Sequence, residues 1–191
     1  MESRYITKNE LTALKSTLPP SAFLPFEVSI QTGLRIGDVL KIRVSDIKGN
    51  TIYYKAQKTS KKGKCSVARS LIKRLKESAR GSEWCFPSPI NPARHLTRQA
   101  MWARVKTAGQ RAGLDLSGLS PHSFRKCFAV ELFKSEGAQA VMEALQHSNI
   151  AVTEIYSLSD FTSGENAELP ILRKDLPLII SRVVAFLNAK K

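Results

Sequence analysis

Asp46-Ile47-Lys48-Gly49-Asn50-Thr51-Ile52-Tyr53-Tyr54-Lys55 is the stretch that decides the fold class. Residues suited to strands flank Gly49-Asn50, a pair suited to a tight hairpin turn. A second turn at Ser60-Lys61-Lys62-Gly63-Lys64 leads into Cys65-Ser66-Val67-Ala68, so three antiparallel strands are expected. Outward from this sheet the chain reads as helix. Thr7-Lys8-Asn9-Glu10 has the form of a capping box, which starts a helix at Lys8. Pro25 to Thr32 reads as a buried helix closed by Gly33, and another helix opens around Arg35 and Ile36. Downstream, helices are expected over 69–79, 97–112, 121–135, 138–146 and 152–157, with Gly81, Gly113 and Gly137 as stops. Pro87, Pro89 and Pro92 mark a loop between the first two of these. A last amphipathic helix begins near Asp175-Leu176-Pro177, with Leu176, Ile179, Ile180, Val183 and Leu187 on one face. That face packs either on its own core or on a neighbouring protomer. The expected fold class is mainly α with a small three-stranded antiparallel β-sheet, an α+β arrangement.

The 191 residues, 42% of them hydrophobic, suffice for one good core and a small second lobe. Thirty Lys and Arg against sixteen Asp and Glu give a net charge of +14, which calls for an extended polyanionic partner. An anionic membrane surface or an acidic protein would also answer that charge. No long apolar run or signal pattern appears, so a soluble cytoplasmic chain is expected. Cys65, Cys85 and Cys127 are odd in number and lack metal-type pairing. They suit a reducing compartment and argue against a zinc site or a disulfide frame.

Three clusters carry possible chemistry: Thr32-Gly33-Leu34-Arg35-Ile36-Gly37-Asp38, Ser120-Pro121-His122-Ser123-Phe124-Arg125, and His147 with Tyr156 nine positions later. A phosphodiester repels an attacking anion and gathers charge in its transition state. A guanidinium answers both problems with a planar fork of donors, which makes Arg35 and Arg125 candidates. Arg35 begins a helix, whose first amides could add to anion binding. His122 and Arg125, three apart, share a helical face, as do Arg35 and Asp38, so Asp38 could hold the Arg35 guanidinium. His122 and His147 could bond a phosphate oxygen or move a proton. Tyr156 would be the nucleophile. Its ordinary pKa near 10 requires a base or a strongly positive field. Lys58, at a strand end where a hairpin tip could enter the minor groove, is the candidate acid for a leaving 5′-oxygen, with Lys61, Lys62 and Lys64 as rivals. These turn lysines, with Arg94 and Arg98, are also candidate DNA contacts. Taken singly, each residue has a commoner explanation: a solvated arginine, a structural histidine, a core tyrosine.

Taken in order, the three clusters resemble the signature of the tyrosine recombinase, or phage integrase, family over about residues 5 to 158. The resemblance implies Arg35 and Arg125 as paired phosphate clamps and His122 as the acid–base or phosphate-binding histidine. His147 fills a position held by histidine or tryptophan, and Tyr156 is the nucleophile. Lys58 matches the sheet-turn lysine, and Asp38 the acidic residue after the first arginine. Gln146 and Lys126 depart from the family's usual glycine and second histidine.

The resemblance implies a catalytic DNA breaking-and-rejoining domain over 1–160 and a tail over 161–191 that docks between protomers. The N-terminal clamp domain usual in the family is expected to be absent. It further implies a 3′-phosphotyrosine intermediate, no metal or cofactor, duplex DNA as substrate, and a homotetramer on paired sites that is a monomer until DNA gathers it. Accessory DNA-bending proteins and a nucleoid location fit the same picture. The rivals are a type IB topoisomerase, which relaxes DNA by rejoining the same strand, and a DNA-binding regulator that does not cut.

Overall fold

The computed structural model describes residues 3–57 and 60–145. The chain divides into two compact units, Met1–Phe128 and Ala129–Lys191, and the second is described as far as Leu145.

In the first unit, α1 (Lys8–Thr17) starts with the expected capping box: Thr7 Oγ1 accepts from Glu10 N, and Glu10 Oε2 accepts from Thr7 N. Arg4 reinforces this start. Its guanidinium pairs with Glu10 at 2.7 Å and donates to Asp115 O, and its backbone N donates to Gly118 O. α2 (Pro20–Thr32) begins at Pro20 rather than Pro25. Ala22 N and Phe23 N both donate to Pro19 O, so the helix nucleates ahead of Pro25. Pro25 then lies inside it, where its missing N–H removes one backbone bond. Burial of Phe23, Leu24, Phe26 and Val28 on this helix offsets that loss.

α3 is a single turn, Ile36–Val39, shorter than the helix expected there, so its aligned dipoles are few. A 3-10 turn at Val44–Asp46 leads to β1 (Ile47–Lys48), β2 (Thr51–Lys55) and β3 (Lys62–Ser66). They form an antiparallel sheet in the order β1-β2-β3, as expected. β3 starts earlier than the sequence suggests: Lys62 pairs with Lys55, so Lys62 and Lys64 are strand residues and not turn residues. Gly63 permits this, because a Cβ there would lie 2.5 Å from the Tyr54 ring.

α4 (Arg69–Ser78) and α5 (Arg98–Arg111) follow, with Thr97 capping α5 through Ala100 N. α6 (Pro121–Leu145) carries non-helical backbone at Gly137 (φ 81°, ψ −177°), where two helices separated by a glycine stop were expected. The first unit's core centres on Phe23, Phe26 and Phe124. The Phe26 and Phe124 rings stack at 4.3 Å, which ties α2 to the first turn of α6. No helix among the described residues is long and apolar enough to cross a membrane. The expected helix at 152–157 and the amphipathic helix from Asp175 lie outside the described residues.

Candidate active site

Gly33 ends α2 in the left-handed conformation (φ 67°), which favours glycine, and its N–H donates to Ser29 O. Buried hydroxyls then pin the exit. Ser29 Oγ donates to Leu34 O at 2.8 Å, and Thr32 Oγ1 donates to Val28 O at 2.6 Å. The chain turns sharply and leaves Arg35 half-buried at the N-cap of α3. Its guanidinium makes no ion pair among the described residues.

The second turn is built the same way. Ser120 caps α6: its Oγ accepts from His122 N at 3.3 Å, and its carbonyl accepts from Ser123 N at 3.0 Å. Pro121 occupies the first helical position, where a missing N–H costs nothing. Phe124 drives this turn into the core against Phe26, so His122 faces outward and Arg125 inward. Arg125 is only 5% exposed, and its Nη1 donates to Gly33 O at 2.5 Å. It therefore supports from beneath the loop that presents Arg35.

Between these turns lies an open cavity of about 690 Å³. Arg35, Gly37 and Asp38 line one side, Ser120 and His122 another, and Arg98, Gln99 and Trp102 of α5 a third. The Arg98 side chain passes close to Gly37, where a Cβ would stand 3.1 Å from Arg98 Cδ. The cavity thus unites a guanidinium, an imidazole and a helix face that carries an arginine, an amide and a half-exposed indole.

The model of the phage integrase family matches residues 4–162. The chain belongs to the phage integrase family. It is 30% identical over 141 residues to the tyrosine recombinase XerD of Rhizobium meliloti, covering 69% of this chain and 45% of that protein. It is 31% identical over 140 residues to the tyrosine recombinase XerC of Xanthomonas axonopodis, covering 71% and 46%. The chain spans just under half the length of these curated relatives. Among solved structures, a lambda integrase dimer bound to a core site superposes with a TM-score of 0.74 at 20% identity, covering 86% of this chain and 50% of that one. The lambda integrase catalytic core superposes at 0.65 with 22% identity, covering 76% of this chain and 92% of that one. These likenesses establish the fold.

Against this family background, the expected site residues among the described residues each have a definite place. Arg35 and His122 share the cavity, and Arg98 joins them. Arg125 lies beneath it. Asp38 does not hold the Arg35 guanidinium. It is 6% exposed, and its Oδ1 accepts from Gln57 N at 3.0 Å, while Gln57 Nε2 donates to Gly37 O at 2.8 Å. Arg35 stands at the N-cap with extended backbone, outside the helical turn that carries Asp38, and the carboxylate turns to the residues that follow β2. Gln57 immediately precedes Lys58, which lies outside the described residues, as do His147 and Tyr156. Lys61, Lys62, Lys64 and Arg94 are exposed and lie outside the cavity lining.

His95 is structural: its Nδ1 meets Leu96 O at 2.6 Å, and its ring stands edge-on to Trp84. Burial pushes the Cys65 thiol up to about 11 and, with Asp46 adding to it, the Cys85 thiol up to about 12, so neither is an activated nucleophile. Gln57, Gln99 and Trp102 escaped the sequence reading. For Trp102 the available signal was its spacing from Arg98, at i+4 on one helix face, and for Gln99 its spacing from Trp102, at i+3.

Proposed function

We propose that this chain is the catalytic part of a site-specific DNA recombinase that cuts and rejoins duplex DNA through Tyr156. Family membership supports the reaction class. The cavity that brings Arg35 and His122 together is the observation that carries the reading. A phosphodiester seated there meets a guanidinium fork and an imidazole, with Arg125 fixing the loop beneath. Tyr156 Oη gives up its proton, for which His122 is the candidate acceptor, attacks phosphorus and forms a 3′-phosphotyrosyl bond as the bond to the 5′-oxygen breaks. The departing oxygen takes a proton, for which Lys58 is the candidate donor, and becomes a 5′-hydroxyl. A 5′-hydroxyl from another strand reverses the step. The exchange conserves bond energy and consumes no cofactor. Residues 1–160 form the catalytic domain in this reading, and 161–191 provide docking between protomers. The solved relatives include DNA-bound dimers and a tetramer on a Holliday junction, which supports duplex DNA and assembly on paired sites for this chain too.

A nicked duplex bearing a cognate site tests the reading, because a released short strand prevents rejoining. The wild-type chain is expected to accumulate a covalent protein–DNA species and Tyr156→Phe to bind without linking. A covalent species that persists in Tyr156→Phe contradicts the assignment. Relaxation of supercoiled plasmid by a monomer, without paired sites, would favour the topoisomerase rival instead.

A further inference from the structure

A second groove, of about 420 Å³, opens on the far side of Asp38, which lines both cavities. Its cations are Lys41, Arg43, Lys55 and Lys62, all exposed. The ammonium groups of Lys41, Lys55 and Lys62 make no hydrogen bond or ion pair among the described residues. Arg43 is placed by two neighbours: its guanidinium lies 4.6 Å over the Trp84 ring and 3.5 Å from the Glu83 carboxylate. The two carboxylates in the lining are already engaged. Asp38 accepts from Gln57 N, and Asp46 accepts from Arg43 N.

Aromatic rings interleave with these charges. Tyr53 is 44% exposed, and Trp84 and Tyr54 also line the groove. Tyr54 lies across β3 at Gly63, the one residue type that leaves room for its ring. Unpartnered cations alone would suit any polyanion. Cations beside one exposed ring, Tyr53, with the Lys48 ammonium 5.7 Å from its centre, suit a polyanion whose bases are free to stack, and a duplex buries its base faces.

We propose that this groove binds single-stranded nucleic acid, with Lys41, Lys55 and Lys62 on the phosphates and Tyr53 stacking a base. The proposal does not require Tyr156 to cleave anything. If the chain does exchange strands, a strand separated from its complement is an obligatory intermediate, and this groove gives it a resting place beside the cleft.

Fluorescence anisotropy of the 191-residue chain with a labelled oligothymidylate of about 8 nucleotides tests the proposal, with a blunt duplex as comparison. The triple variant Lys41→Ala/Lys55→Ala/Lys62→Ala is expected to bind the oligonucleotide at least ~10-fold more weakly, with a salt slope shallower by about 2, and to lose much less affinity for the duplex. Tyr53→Ala is expected to lose roughly 10-fold in oligonucleotide affinity with an unchanged salt slope, because it removes stacking and no charge. Failure of the wild-type chain to bind the oligonucleotide overturns the proposal, as does a triple variant that binds like wild type. Equal losses for duplex and single strand, or a loss in the triple variant with none in Tyr53→Ala, overturn it too, because the lysines would then be ordinary duplex contacts.

Discussion

The two cavities that meet at Asp38 are both cationic, yet they are built on opposite plans. In the cleft, a glycine-ended helix and two buried hydroxyls present Arg35, and Arg125 donates to the Gly33 carbonyl from beneath, while the exposed Arg98 reaches in from α5. In the groove there are four cations, and the ammonium groups of Lys41, Lys55 and Lys62 have no hydrogen-bond or ion-pair partner among the described residues. Placement limits a site to one phosphate in one geometry, which chemistry requires. Loose lysines tolerate a moving backbone, which binding requires. On the proposed reading, net charge marks the nucleic-acid surface and the hydrogen bonds behind Arg35 mark the reacting atoms.

The comparison breaks most visibly at Arg35. Arg35→Ala should slow covalent-complex formation about 10²- to 10³-fold while leaving thermal stability within about 0.5 kcal/mol, since the side chain holds no structure together. A rate within a few-fold of wild type would remove Arg35 from the clamp. Arg125→Ala should do both kinds of damage. Loss of the charged bond to Gly33 O should cost about 2–3 kcal/mol in a denaturant titration, and the unsupported loop should slow cleavage as well. Unchanged stability would mean that Arg125 is not the support of the Arg35 loop.

Asp38→Ala sharpens the comparison, because Asp38 is common to both walls. It should cost about 1–2 kcal/mol and weaken both cleavage and oligonucleotide binding, whereas Asp38→Asn retains an acceptor for Gln57 N and should do less. A defect confined to one cavity would break the shared-wall account. Far from both cavities, Glu10→Gln should cost only about 0.5–1 kcal/mol through the capping box. Burial pushes the Glu10 carboxyl up, but its bonds with Arg4 and Thr7 outweigh that and hold it below its ordinary value of 4.5. A depressed carboxyl stabilises the fold above the unfolded value and loses that contribution as pH falls through the folded one. The wild-type advantage over Glu10→Gln should therefore be full at neutral pH and shrink below pH 4.5; an advantage that grew in acid would contradict it.

What was legible in the sequence was what local chemistry decides. The capping box at Thr7 and Glu10, the Gly33 helix end and the turn at Gly49-Asn50 each need only neighbours a few residues apart. The start of β3 was hidden because Lys62-Gly63-Lys64 has turn composition, and only pairing with β2 makes it a strand. The start of α2 was hidden because Pro25 reads as a beginning when it stands inside. Helical spacing pairs Asp38 with Arg35, but Arg35 is the N-cap with extended backbone, and Asp38 bonds Gln57 N instead. Trp102 lies one helical turn from Arg98 in the sequence, but that this part of α5 lines the cleft with Arg35 and His122 is decided by tertiary packing.

The central claim is that the phosphate held beside Arg35 is transferred to one particular tyrosine of the four in the chain. Proteolysis of the covalent complex formed on a nicked duplex, followed by mass spectrometry of the nucleotide-bearing peptide, tests this directly. The account predicts a 3′-phosphonucleotide on the peptide containing Tyr156. An adduct on Tyr5, Tyr53, Tyr54 or any other residue, with Tyr156 unmodified, would contradict it.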